Sequence, residues 1–189
     1  MIFSKDRPLQ LDLCLNSLQI NMVGKVDVDV IYNTSSSAFQ NGYKKLEESY
    51  SNVNFIHEKD FQKDFENSID KTDFVMFAVD DAVFCRKFDI NKICSSIEKN
   101  LLGFSLRLGR NITYCYPFSC HQAQPIFENV SADILKFYWP NCTYDFRYPM
   151  EVSSSIYSTA LVKTILDGQE YKCPNQLEDS FYKNPYKFA

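Results

Sequence analysis

Apolar positions recur along the chain with two alternating periods. Residues 1–4 begin with a short apolar run that predicts a strand. After Arg7 and Pro8 the period lengthens: Leu11, Leu15, Leu18 and Met22 fall on one helical face, and Pro8 suits a first turn. In KVDVDVIYN, Val26, Val28 and Val30 alternate with Asp27 and Asp29, the mark of a strand with one polar face. SSSAFQNGYKKLEESY reads as a helix entered through serine caps, residues 53–57 as a strand, and residues 61–69 as a helix. Residues 74–79, FVMFAV, are apolar without interruption and predict a strand covered on both faces, hence central in a mainly parallel sheet. Ile90, Ile93, Ile97 and Leu101 predict a further helix. LLGFSLRLG then alternates Leu102, Phe104, Leu106 and Leu108 against Gly103, Ser105 and Arg107, as a strand would.

This β-α alternation predicts an α/β fold, an open, mixed but mainly parallel sheet flanked by helices. Beyond residue 109 the pattern becomes loop-rich and aromatic. A helix is expected at 132–138, an extended stretch at RYPMEVSSSIYS, a helix at 159–166, and a Pro-started helix at PNQLEDSFYK. With 189 residues and no evident linker, a single domain with subregions 1–109 and 110–189 is the simplest division.

Composition narrows the function classes. A net charge of -4 and a pI of about 5.2 argue against nucleic acid as a partner. No apolar run approaches the roughly 18 residues of a membrane span. The opening residues carry no secretory signal, so a cytoplasmic location is expected. In that setting the Asn-x-Ser/Thr triplets at Asn33, Asn111, Asn129 and Asn141 are read as chance. The seven cysteines are scattered without a CxxC pair, which fits reduced thiols better than zinc or a disulfide framework. No GxxxxGK[ST] or GxGxxG motif occurs, so a P-loop ATPase and a dinucleotide-dependent dehydrogenase are excluded.

The candidate chemistry begins where FVMFAV runs into Asp80 and Asp81. Ligands of open α/β sheets bind outside the carboxyl ends of the strands. Two adjacent carboxylates there repel each other unless something positive shares them, and a hard divalent cation with oxygen ligands is a natural partner. A helix cap or a solvated turn would equally accommodate two acids.

In order and spacing these pieces resemble the GT-A-type glycosyltransferases, whose fourth strand ends in an acidic D-x-D motif. Here the positions read Val79-Asp80-Asp81, so the first acid is replaced. The resemblance implies a nucleotide-sugar donor, UDP-linked by expectation, over subregion 1–109, with the acceptor bound by 110–189. It implies a Mn2+ or Mg2+ cofactor on Asp81, with Asp80 beside it at the metal and the nucleotide. FSKDRPLQLDLCLNSL is similar to the family's nucleotide corner, which implies nucleotide contacts from Ser4, Lys5 and Arg7, and Asn33 would read the base edge. GFSLRLGRN, DFRYPMEVSSSIY and PNQLED look like the carboxyl half of a subset that includes domains encoded by large DNA viruses of algae, the first glycosyltransferase domain of a chlorella virus protein among them. A host cytoplasm would then be the compartment, and the chain would suit one domain of a longer multi-enzyme polypeptide.

Within this resemblance Glu178 or Asp179 is the acid that takes the acceptor proton. Arg107, on the side shared with the small Gly103 and Ser105, would reach donor or acceptor sugar oxygens in the room those residues leave, or serve equally as a buried structural tie. Trp139, Tyr144 and Tyr148 would offer faces to an acceptor glycan. A catalytically weak nucleotide-sugar binding module remains the alternative because the first acid is missing. A sugar-1-phosphate nucleotidyltransferase would need a glycine-rich loop after the first strand, which SKDRPLQ does not supply.

Overall fold

Strand β1 (Ile2–Lys5) is followed by α1 (Pro8–Asn21), β2 (Val28–Asn33), α2 (Ser37–Ser49), β3 (Val53–His57), α3 (Phe61–Ile69), β4 (Phe74–Val79) and α4 (Ile90–Ser96). Then come β5 (Phe104–Ser105), β6 (Ser155–Ser158), α5 (Thr159–Leu166) and α6 (Pro174–Lys183). The computed structural model describes residues 1–70, 72–98 and 101–183. Within them the six strands form one sheet in the order β3-β2-β1-β4-β6-β5. The first four are mutually parallel, and β6 runs antiparallel to both of its neighbours. The chain builds outward from β1 to β3 and then returns to lay β4 on the other side of β1. Strand order therefore reverses between β1 and β4, the position where open α/β sheets form a crevice.

The uninterrupted apolar run of β4 is explained by what covers it. Val75 and Phe77 enter a core with Phe61 and Phe65 of α3, Val162 and Ile165 of α5, and Leu177 and Phe181 of α6. Met76 and Ala78 face the other layer, formed with Leu11, Leu15 and Leu18 of α1 and Tyr43 and Leu46 of α2. Side chains alternate across a strand, so a strand with helices on both faces needs apolar residues at every position. Aromatic rings knit the first layer: Phe77 lies 5.9 Å from Phe65 and 5.8 Å from Phe181, centroid to centroid. Full burial of such a ring contributes about 1.5–3 kcal/mol, so this cluster is a principal anchor of the sheet.

Local signals set most helix starts. Ser36 caps α2 by accepting the Phe39 N–H, Asp60 caps α3, Asp89 caps α4 and Ser158 caps α5, while Pro8 and Pro174 open α1 and α6.

Four expectations are corrected. The helix through Ile97 and Leu101 stops at Ser96, because the Ser95 and Ser96 hydroxyls bond back to the carbonyls of Lys92 and Ile93 and the Ile97 N–H closes on Cys94. The strand of LLGFSLRLG is only Phe104–Ser105, since the Ser105 hydroxyl accepts the N–H groups of both Arg107 and Leu108 and turns the chain out of the sheet. No helix forms at 132–138: the Val130 and Ser131 N–H groups bond to the Ile134 carbonyl, closing a hairpin between Glu128–Asn129 and Leu135–Lys136. Gly103, finally, leaves no room for a ligand. A Cβ there would lie 2.4 Å from the Tyr157 ring and 2.8 Å from the Ile156 carbonyl, so its smallness serves the packing of β6 against the segment before β5.

Gly103→Ala should therefore destabilise the domain by about 1–3 kcal/mol, because the backbone carbonyl it meets cannot swing aside. Urea unfolding with an unchanged m-value checks this; a variant as stable as the parent would contradict the packing.

Candidate active site

The crevice is built by the register of β1 against β4. Ile2 pairs with Ala78 and Phe3 with Val79, so Ser4 stands opposite Asp80 one step further on. The Ser4 hydroxyl donates to Asp80 Oδ2 at 2.9 Å, and the Lys5 N–H donates to the same oxygen at 3.3 Å. Asp80 is buried, and burial pushes its carboxyl above the usual range, opposed by these two donors and by the Arg7 charge. Asp81, the next residue, has a side chain 58% exposed. One guanidinium nitrogen of Arg7 joins the pair, 2.9 Å from Asp81 Oδ2 and 3.5 Å from Asp80 Oδ1. The positive group that shares the two acids is thus already in the chain.

The loop after β1 is held by backbone contacts. Asp6 takes a positive φ of 57°, a conformation that Asp tolerates better than most residues. Its N–H donates to the Asn33 carbonyl, and its carboxylate accepts the Ser35 N–H at 2.6 Å. The Tyr43 hydroxyl, reaching in from α2, hydrogen-bonds Ser4 and accepts the Arg7 N–H at 3.2 Å. Asn33 ends β2 with its amide donating to Glu58. Ser4, Lys5, Arg7, Asn33, Asp80 and Asp81 are therefore brought together at the carboxyl ends of three adjacent strands.

The carboxyl-terminal residues reach the same edge. Because β6 is antiparallel to β4, residues 151–154 precede it over the edge where Asp80 and Asp81 follow β4, and the Ser154 N–H donates to the Phe77 carbonyl. Leu106, just past β5, donates to the Ser154 carbonyl, which brings Arg107 to this edge as well. Glu178, the fifth residue of α6, accepts the Val152 N–H at 3.3 Å. From β1 to β5 the edge spans three interstrand spacings, roughly 14 Å, room for an extended ligand rather than a point anion.

The structure separates the two late acids. Glu178 is half-buried and its carboxyl is raised by burial, whereas Asp179 is exposed. A carboxyl held above its ordinary range at a cleft is the better proton acceptor at neutral pH. Arg107 is held by two acids: Asp145 at 3.0 Å and the buried Glu151, 3.9 Å from its Nε. Gln122 in turn donates to Asp145 at 2.7 Å. Glu151 also accepts the Ser153 N–H at 2.7 Å and the Ser155 hydroxyl, while burial raises its carboxyl. The roles of Tyr43, Asp145 and Glu151 arise from contacts distant in sequence, which local patterns do not carry. A charged Glu inside the expected extended stretch was the one available signal.

A separate cavity of about 840 Å³ lies under the opposite edge, lined by Met1, Val28, Asp29 and Phe74 at the strands' amino ends. It holds none of these residues. Among the described residues no three His, Cys, Asp or Glu side chains gather to bind a metal by themselves, and no helix is long and apolar enough to cross a membrane.

No protein-family profile matches the chain. It is similar to the bifunctional glycosyltransferase pgtA of Dictyostelium discoideum, with 32% identity over 187 aligned residues that take in 88% of this chain. The chain spans about a quarter (24%) of the length of that curated relative. Among solved structures it resembles S. aureus TarS 1-349, with a TM-score of 0.50 and 15% identity over 97% of this chain and 55% of that one. The open, mostly parallel six-stranded sheet with flanking helices is the fold that the chain shares with that structure.

Glu178 supplies a pH test. Its folded pKa is raised, so its contribution to stability is fully present below the ordinary glutamate range and is lost as pH rises through the folded value. Glu178→Gln keeps an acceptor for the Val152 N–H but removes the poorly solvated charge. The variant should be more stable than the parent at pH 7, with the gap closing towards pH of about 4. A variant less stable at every pH would contradict the assignment.

Proposed function

We propose that this domain is a GT-A-type glycosyltransferase that moves a hexosyl group from a UDP-sugar to a glycan acceptor with the help of Mn2+ or Mg2+. The observation that carries the reading is the convergence on one sheet edge of Arg7 with Asp80 and Asp81, and of Glu178 with Arg107. The 32% identity to a bifunctional glycosyltransferase supports it over most of the chain.

The donor set suits such an ion. Magnesium and manganese are commonly held by one or two carboxylates and complete their shells with water and substrate phosphates, so a full protein cage is not required. Exposed Asp81 is the direct ligand. Asp80, whose Oδ2 is committed to Ser4 and Lys5, stands behind it and fixes the end of β4 against β1. When bound, the ion would neutralise the charge that grows on the departing nucleotide diphosphate.

Ser4, Lys5 and Asn33 bind the nucleoside at the ends of β1 and β2, and Arg7 pairs with the diphosphate. On the other side Arg107, kept in place by Asp145 and Glu151, contacts the transferred sugar. Glu178 accepts the proton of the acceptor hydroxyl as its oxygen bonds to the anomeric carbon and the bond to the phosphate oxygen breaks. Residues 1–109 thus serve the donor and the remaining residues the acceptor.

Turnover of a panel of UDP-sugars, with and without Mn2+, tests the reading. Asp81→Asn should lower metal-dependent turnover by at least about a hundredfold, as loss of an electrostatic stabiliser does. Glu178→Gln should lower transfer by about 10²–10⁴-fold with donor affinity little changed. Donor binding without turnover across the panel would instead identify a nucleotide-sugar binding module.

A further inference from the structure

We infer that Arg7 is a built-in counter-cation that competes with the divalent ion for Asp81 and yields more readily when a diphosphate arrives to receive it. The inference rests on the proposed metal–diphosphate reading and adds a residue that makes metal binding depend on the nucleotide. A single nitrogen, Nη1, contacts both carboxylates, at 2.9 and 3.5 Å, where a cation shared by the two acids would sit. Guanidinium and divalent ion disfavour each other in that place, because their like charges repel at so short a distance.

The two acids hold Arg7 with different consequences. Asp80 is deeply buried, so its charge needs compensation at all times, and two further donors supply it from β1. Asp81 and Arg7 are each more than half exposed, which makes their pair weak and exchangeable. The guanidinium can therefore leave Asp81 without stranding a buried charge. A diphosphate completing the ion's shell would give it an alternative partner, since Arg binds phosphate oxygens through parallel N–H groups. Without nucleotide, an ion that displaces Arg7 leaves the guanidinium with no new anion on Asp81's side; with nucleotide both cations find anions.

Arg7 serves the fold through its backbone. Its N–H donates to Tyr43 and its carbonyl accepts the Leu11 N–H, while its side chain makes no cap for α1. Arg7→Gln should accordingly fold like the parent, which circular dichroism and thermal melting verify. Arg7→Lys keeps the charge and provides a second variant.

Free Mn2+ measured by electron paramagnetic resonance, on the protein alone and with UDP, reads the competition directly. Without nucleotide, Arg7→Gln should bind Mn2+ about two- to fivefold more tightly than the parent, the range expected for removing one exposed ion pair. Arg7→Lys should stay near the parent, and Asp81→Asn should abolish the site in either background. With UDP, the parent should gain more Mn2+ affinity than Arg7→Gln does. Asp81-dependent binding that is equal or weaker in Arg7→Gln overturns the competition while the metal reading stands. Absence of any Asp81-dependent binding, with UDP present, overturns both.

Discussion

The arrangement of this domain depends on one constraint: a buried carboxylate, Asp80, lies where strand order reverses and must be compensated from the neighbouring strand. Ser4 and the Lys5 N–H provide that compensation from β1, and Arg7 adds charge from the turn beyond. Leaving such a group unpaired would cost about 3–5 kcal/mol, a large fraction of a domain's net stability. The contact therefore does more than decorate the crevice. It locks the carboxyl ends of β1 and β4 together and fixes the loop that carries Arg7. It also leaves Asp81, one residue on, outside the core and open to a ligand.

The second half of the edge follows a different logic. β6 enters antiparallel, so its leading residues, not its trailing ones, come to the carboxyl ends of the parallel strands. The segment before β6 brings Glu151 and Val152, and α6 returns Glu178 to the Val152 N–H. Arg107 sits between Glu151 and Asp145 and so is preorganised rather than free to follow a ligand. The two arginines of the edge differ in this respect: Arg107 is held by a half-buried pair, Arg7 by an exposed one.

The sequence made the parallel core legible because its signals are local. FVMFAV announced a strand covered on both sides, Pro8 and Pro174 announced helix starts, and residues 61–69 and 159–166 form helices as expected. Where side chains compete for backbone groups, periodicity misled. Ser95 and Ser96 end α4 early, Ser105 turns β5 out of the sheet, and Gly103 yields to the Tyr157 ring. Asp80 and Asp81 could be nominated as a pair, but adjacency alone could not say which is buried. That difference comes from the pleat: Asp80 shares the face of Ala78 and Ser4, which α1 and α2 cover. Asp145 and Tyr43 carry no local signal because each acts through a partner distant in sequence, and Glu151 shows only as a charge inside an extended stretch.

On the proposed function, Asp81 at the end of β4 would help to hold a divalent cation together with a nucleotide diphosphate. Anomalous scattering from a crystal grown with UDP and Mn2+ tests it most directly. The expected result is a manganese peak within bonding distance of the Asp81 carboxylate and of phosphate oxygens, with Arg7 moved onto the diphosphate. UDP bound in the crevice with no peak there, and Arg7 still on Asp81, would contradict it.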